Sequence, residues 1–192
     1  LNDAWAKMGG SIAILEGFID FDCEISVIVA RNPAGEIALY EPARNHHKHH
    51  ILDTSTVPAG VSPKVTHAAE AIARQIAAEI DLIGLLAVEM FVTKDGKVLV
   101  NELAPRPHNS GHWSQDGAVT SQFEQHMRAV CGLPLGNPSR HSDTVMTNLI
   151  GDEVETWPQL LSDPDVKLHL YGKTEARPGR KMGHWNRIRP KS

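Results

Sequence analysis

Thirteen consecutive residues, Asn101-Glu102-Leu103-Ala104-Pro105-Arg106-Pro107-His108-Asn109-Ser110-Gly111-His112-Trp113, gather a carboxylate, a guanidinium, imidazoles and carboxamides. The run is too polar, and too rich in Pro and Gly, to be core. The planar fork of Arg106 suits a carboxylate or phosphate. His108 can orient an oxyanion or move a proton near neutral pH. Such a set reads as an active-site segment leaving the end of a strand.

That strand belongs to a hairpin. Residues 85–92 (Leu-Leu-Ala-Val-Glu-Met-Phe-Val) and 98–103 are strand-like, and Asp95-Gly96 between them is the pair favoured in a two-residue type I′ turn. With those two at the tip, Glu89 falls opposite Glu102. Directly opposed Cβ atoms lie about 4.5–5.5 Å apart, and like charges there are destabilising. A shared proton would relieve this by raising one pKa. A hard divalent cation held by oxygen ligands would relieve it too. Two solvated carboxylates on an exposed face are the plain alternative; Arg106 and His108 next door favour a functional pair.

The other elements must position these groups. Residues 22–30 alternate as a half-buried strand, Asn32-Pro33-Ala34-Gly35 turns, and residues 36–41 return as its hairpin partner. A strand-like run also covers residues 11–15. The clearest helix spans residues 63–81, with Ser62 to cap it and Pro63 in its first turn. Val65, Ala69, Ile72, Ile76, Ile80 and Ile83 follow at helical spacing as its apolar face. A second helix is expected over 117–131, stopped by Gly132 and Pro134. Strands follow over 144–150, 166–171 and 183–189, with a short helix over 157–162. The fold class is α+β.

Composition bounds the rest. The chain has 192 residues, 41% hydrophobic and 22% charged, enough for one good core or two small ones. A net charge of −4 with His neutral argues against a nucleic-acid or membrane partner. Cys23 and Cys131 lie far apart and read as reduced thiols in a reducing, cytoplasmic setting. His46, His47, His49 and His50 are read as a loop after Pro42, where adjacent rings point apart, rather than as a metal site. Lys173, Arg180 and Lys181 surround Pro178-Gly179; alone they are an ordinary solvated run of charge.

The segment NELAPRPHNSGHWSQDGAVTSQFEQHMRAVCGLPLG resembles the signature of the N5-carboxyaminoimidazole ribonucleotide synthetases, ATP-grasp enzymes of purine biosynthesis. LEGFIDFDCEISVIVAR near the start and YGKTEARPGRKMGH near the end agree, so the resemblance covers nearly the whole chain. It implies the carboxy-terminal part of an ATP-grasp fold, an antiparallel sheet with packed helices over residues 1–136, then a small β-rich domain over 137–192. It implies ATP and Mg²⁺ as cofactors. Glu16, Gly17, Phe18 and Ile19 would lie along adenine, Glu24 would hold the ribose hydroxyls, and His47 would sit near the nucleotide. Glu89 and Glu102, with Asn101, would hold Mg²⁺ and phosphate. Arg106, His108 and Asn109 would handle bicarbonate and the carboxyphosphate formed from it, while Lys173 and Arg180 would bind the substrate's 5′-phosphate. The implied reaction is ATP-dependent carboxylation of aminoimidazole ribonucleotide by a protein that is a homodimer at full length. The family's lid, with its phosphate lysine and Gly-rich loop, has no recognisable counterpart in these residues. The other expectation is therefore a non-catalytic nucleotide- or metal-binding fragment, inactive in isolation.

Overall fold

The computed structural model describes residues 2–10 and 12–192. After a short helix α1 (Asn2–Lys7) come strands β1 (Phe21–Arg31), β2 (Ile37–Leu39), β3 (Ala43–Lys48) and β4 (Ile51–Val57), then helix α2 (Pro63–Glu79). Strands β5 (Gly84–Thr93) and β6 (Val98–Ala104) lead into a single 3₁₀ turn (Asn109–Gly111) and helices α3 (Ser114–Gly117) and α4 (Gln122–Val130). The chain closes with β7 (Ser142–Ile150), a 3₁₀ segment (Gly151–Thr156), α5 (Trp157–Leu160), β8 (Val166–Leu170) and β9 (Lys181–Pro190). One nine-stranded sheet runs in the order β6-β5-β1-β3-β4-β7-β9-β8, with β2 beside β1. Its pairings are antiparallel. This is the expected α+β arrangement, and the β4–β7 pairing makes the sheet continuous into the last strands.

Both faces of the central strands are covered, which is why β1 reads as a buried run from Ile25 to Ala30. Cys23, Ile25, Val27 and Val29 point toward α2, together with Leu86, Val88, Met90 and Val92 of β5. Ile28 and Ala30, with Leu85 and Ala87, pack the opposite face against Tyr40, Trp113 and Met146. Period-two alternation then sends Glu24, Ser26 and Glu89 to the face away from α2. Trp113 fills that side, 1% exposed and edge-on to Tyr40 at 6.1 Å between centroids.

Several elements depart from the sequence reading. The hairpin tip is a three-residue loop, Lys94-Asp95-Gly96, not a two-residue turn: Thr93 donates to the Lys97 carbonyl at 2.9 Å, and Gly96 takes φ +78°. That loop puts Met90 opposite Val100. A bulge at Asn101 then restores Glu89 opposite Glu102. Residues 117–131 are not one helix. Ala118 is extended and bridges Arg140, and Ser121 caps α4 by accepting from Glu124 N at 3.2 Å. The histidine cluster is not a loop: His46 and His47 lie on β3, and His49 and His50 form a tight turn at φ +51° and +62°. In the run over 11–15, Ser11 lies outside the described residues, and Ile12 to Leu15 form no strand because no neighbour pairs with them. Among the described residues no helix is long and apolar enough to cross a membrane.

The cap of α2 is as expected, with Ser62 Oγ accepting from Val65 N at 3.4 Å. Its buried face is not. Val65, Ala69, Ala73 and Ala77 are buried, Ile72 and Ile76 are half-buried, and Ile80 and Ile83 are more than half exposed beyond the helix end. The alanine stripe lets the helix sit close to the sheet, so the larger side chains flank the contact. Replacing Ala73 by Leu should therefore cost about 1–3 kcal/mol through overpacking. Ile80→Ser should stay within about 0.5 kcal/mol. Urea unfolding of both variants measures this; equal losses would restore the isoleucine face.

Candidate functional site

A cleft of about 610 Å³ opens on the face away from α2, lined by Glu24, His47, Glu89, Asn101, Glu102, His108, Lys173 and Lys181 among others. Five separate stretches supply these groups. β1 gives Glu24, β3 gives His47, and the β5–β6 hairpin gives Glu89, Asn101 and Glu102. The loop after β6 gives His108, and the β8–β9 connection with the start of β9 gives Lys173 and Lys181.

The hairpin bulge decides the position of Glu102. In a ladder that stayed regular past Val100, Asn101 would face Glu89 and Glu102 would alternate onto the α2 side. With the bulge, one ligand atom each from Glu89, Glu102 and His108 lie within 4.8 Å of one another. His108 Nε2 stands 3.0 Å from Glu89 Oε1. Burial pushes the Glu89 carboxyl up, but the hydrogen bond and charge of His108, with the charges of His47 and Lys181, outweigh it and hold the group below its ordinary value. This pair of hard oxygen donors with an imidazole beside it fits a divalent cation.

The other expected residues fall as follows. His47 Nδ1 is 2.7 Å from Glu24 Oε2, so those two meet at one end of the cleft. Lys173 reaches it by donating to the Lys181 carbonyl at 2.5 Å and stacking its ammonium over Tyr171. Lys181 is half-buried; burial lowers its pKa first, then the positive charges of Arg106 and Lys173, against a raising contribution from Glu89. Arg106 does not line the cleft: its guanidinium is exposed and donates to the Pro107 carbonyl at 3.1 Å. Arg180 donates to the Glu175 carbonyl at 3.0 Å and stands between Gly179 and Lys181, which line the cleft. Asn109 is half-buried, and its Nδ2 has no hydrogen-bond partner. Glu16, Gly17 and Phe18 are exposed and Ile19 half-buried, in a stretch without regular structure; the cleft forms without them.

Three supporting groups were not assigned a role from the sequence. Ser26 lies opposite Glu89 on β1, and an alternation count from Glu24 would have put it on the same face. Gln122, fully buried, pairs with both backbone groups of His108: its Oε1 accepts from His108 N at 2.9 Å, and its Nε2 donates to His108 O at 2.7 Å. No sequence signal marks a glutamine for that. The same amide reaches His112 Nδ1 at 2.8 Å, where a stack begins: His112, His184 and His169 follow one another at 4.6 Å between centroids. Asp116 Oδ2 closes the stack at 2.7 Å from His169 Nε2.

Comparison with known proteins identifies the family and the fold. A model of the ATP-grasp domain matches residues 1–123, and one of the phosphoribosylaminoimidazole carboxylase C-terminal domain matches residues 144–192. An N5-carboxyaminoimidazole ribonucleotide synthase of Brucella melitensis is 53% identical over 99% of this chain and 52% of its own length. The solved structure of an N5-carboxyaminoimidazole ribonucleotide synthetase from Thermus thermophilus superposes with a TM-score of 0.89 at 43% identity, over 98% of this chain and 52% of that one. An Aspergillus clavatus N5-carboxyaminoimidazole synthase, solved with ADP and 5-aminoimidazole ribonucleotide, gives 0.86 at 34% identity, over 90% and 48%. The chain thus spans about half the length of the relatives it matches.

The histidine stack makes the fold sensitive to acid. Burial, followed by the charges of neighbouring histidines and Lys181, pushes His112 down to about 4. Burial, then His112 and His169, pushes His184 down to about 3, against a raising contribution from Asp116. The unfolded chain protonates both rings as pH falls through 6.5, while the folded chain resists to about 4 and about 3. Unfolding therefore takes up protons in that window, and stability is lost as pH falls below 6.5. Near pH 5 the two rings should contribute a slope of up to about 2.7 kcal/mol per pH unit. Chemical denaturation from pH 7.5 to 5 should show it, and His184→Phe should remove about half of their share.

Proposed function

This chain belongs to the ATP-grasp family, in its N5-carboxyaminoimidazole ribonucleotide synthase branch, and we propose that it carries out the substrate-facing part of that synthase reaction. In that reaction ATP and bicarbonate carboxylate 5-aminoimidazole ribonucleotide, giving N5-carboxyaminoimidazole ribonucleotide, ADP and phosphate, in purine biosynthesis. The observation that supports it most is the meeting of Glu89, Glu102 and His108 in one cleft with Glu24, His47, Lys173 and Lys181. The ADP and ribonucleotide held by the Aspergillus clavatus relative are the ligand classes such a cleft suits.

Each residue then has a task. Glu24, steadied by His47, accepts from the ribose hydroxyls, and residues Glu16, Gly17, Phe18 and Ile19 border adenine. Glu89 and Glu102, with Asn101, would hold Mg²⁺, which would supply positive charge to offset that of the phosphate oxygens. Arg106 clamps bicarbonate or its phosphorylated form through two parallel N–H groups, and His108 and Asn109 add further hydrogen bonds. Lys173 and Arg180, joined by Lys181, attract the ribonucleotide phosphate. Holding both reactants in one cleft gives the near-attack geometry that the amine and the carboxylating species need. A cytoplasmic setting, a homodimer at full length, and a division at 136/137 belong to the same reading.

The relatives are about twice as long as this chain, which favours a second reading for these residues by themselves: a nucleotide- or metal-binding fragment without turnover. Ribonucleotide-dependent ATP hydrolysis, assayed on this chain and on a protein of the relatives' full length, separates the two. The 192 residues alone should bind nucleotide weakly and turn over little; robust substrate-dependent hydrolysis by them would overturn this. In the active enzyme Arg106→Lys should lower turnover about 100-fold despite the retained charge, since the fork is lost. Lys173→Ala should instead mainly raise the KM for the ribonucleotide. Near-normal turnover of Arg106→Lys would refute the assignment.

A further inference from the structure

We propose that Ser110, backed by Ser26, locks His108 in the tautomer that carries its proton on Nε2. The neutral ring then presents an N–H, not a lone pair, to the Glu89 side of the cleft. This deepens the function proposed above and takes from it only the role of the cleft; the lock itself rests on geometry.

The ring of His108 is held from both ends. Nε2 lies 3.0 Å from Glu89 Oε1. Nδ1 meets Ser110 twice, its backbone N–H at 3.3 Å and its hydroxyl oxygen at 2.9 Å. A backbone N–H can only donate, so Nδ1 must offer it a lone pair. The proton of the neutral ring is thereby assigned to Nε2, where a carboxylate waits to accept it. Ser26 completes the direction: its hydroxyl donates to Ser110 Oγ at 2.7 Å. Ser110 Oγ is then occupied as an acceptor, and its own proton is free to point at Nδ1. Donors run one way, from Ser26 through Ser110 and His108 to Glu89.

The frame around this relay is rigid. Ser26 and Ser110 are 1% and 0% exposed, so water does not compete for either hydroxyl. Ser26 sits opposite Glu89 in the β1–β5 ladder, so the two ends of the relay are cross-strand neighbours. Gln122 pins the backbone of His108 as a strand neighbour would, by its paired bonds of 2.9 and 2.7 Å. Gly111 is needed beside it, because a Cβ there would meet Gln122 Oε1 at 2.5 Å. Between the two chemistries open to His108 at the sequence level, the lock excludes one: the ring does not take a proton through Nε2 but donates there, and the acceptor it meets is the Glu89 carboxylate. Ser110, Ser26 and Gln122 are positioning residues for it.

Ring-nitrogen NMR of the ¹⁵N-histidine-labelled chain, at a pH where His108 is neutral, tests the lock directly. His108 should show a pyrrole-type Nε2 and a pyridine-type Nδ1. In Ser110→Ala, which keeps the backbone donor and loses the closer hydroxyl, the two resonances should move part of the way toward each other as the other tautomer becomes populated, and Ser26→Ala should give a smaller shift in the same direction. Ser26→Ala also serves if Ser110→Ala does not fold. A pyrrole-type Nδ1 in the unaltered chain, or unchanged resonances in the folded variants, would overturn the proposal. In the active enzyme Ser110→Ala should lower kcat about tenfold, the scale of one orienting hydrogen bond, with little change in KM. A tautomer shift without any change in kcat would uphold the lock and instead refute the catalytic role proposed for His108.

Discussion

Two carboxylates held face to face on neighbouring strands set the terms for the groups around them. Directly opposed like charges disfavour each other, and here Glu89 is half-buried while Glu102 is open to solvent. The structure relieves part of the repulsion with His108, whose ring edge meets Glu89, and part with Lys181, whose half-buried ammonium contributes attraction. Neither removes the charge of the pair. What remains is a concentrated negative field lined with hard oxygen donors, and the basic groups of the β8–β9 connection stand at its border.

The sheet is what makes this arrangement durable. Strands buried on both faces cannot slide without moving an apolar set out of each core, so the register of β1 and β5 is pinned from above and below. The acidic groups inherit that precision from strand positions, whereas His108 lies on a loop and needs its own fixing. It receives that from the buried amide of Gln122 and from Ser110. The cleft also draws on two parts of the chain that match different domain models, and the β4–β7 pairing ties those parts into one hydrogen-bonded body.

How much of this was legible in the sequence depended on range. Local signals held: the Ser62 cap of α2, the strand over 22–30 and the Pro- and Gly-rich segment after β6 are where they were read, although β1 is buried on both faces rather than half-buried. The Glu89–Glu102 pairing was read correctly from a wrong turn, because a longer loop and a bulge cancel; two compensating irregularities leave no trace in a periodic pattern. The histidines of β3 were misread since His-His-Lys-His-His carries little apolar alternation, and only pairing with β1 and β4 makes it a strand. The buried face of α2 was displaced because size, not hydrophobicity alone, chose alanines for a close contact. Gln122 reaches back 14 residues across an irregular stretch, the histidine stack joins His112 to a distant strand, and nothing local announces either.

The bulge at Asn101 makes the hairpin a counter with two settings. Every residue between Glu89 and Glu102 can be exchanged without changing the parity of the count, so substitutions leave the two carboxylates on one face. A deletion of Asn101 removes the bulge, and the ladder then runs regularly from Val100 with Glu102 still opposite Glu89. Loss of a second residue from the strand turns Glu102 to the far side of the sheet. Over its lifetime as a gene this stretch can thus shed one residue at the bulge, and no more, with the two carboxylates kept on one face.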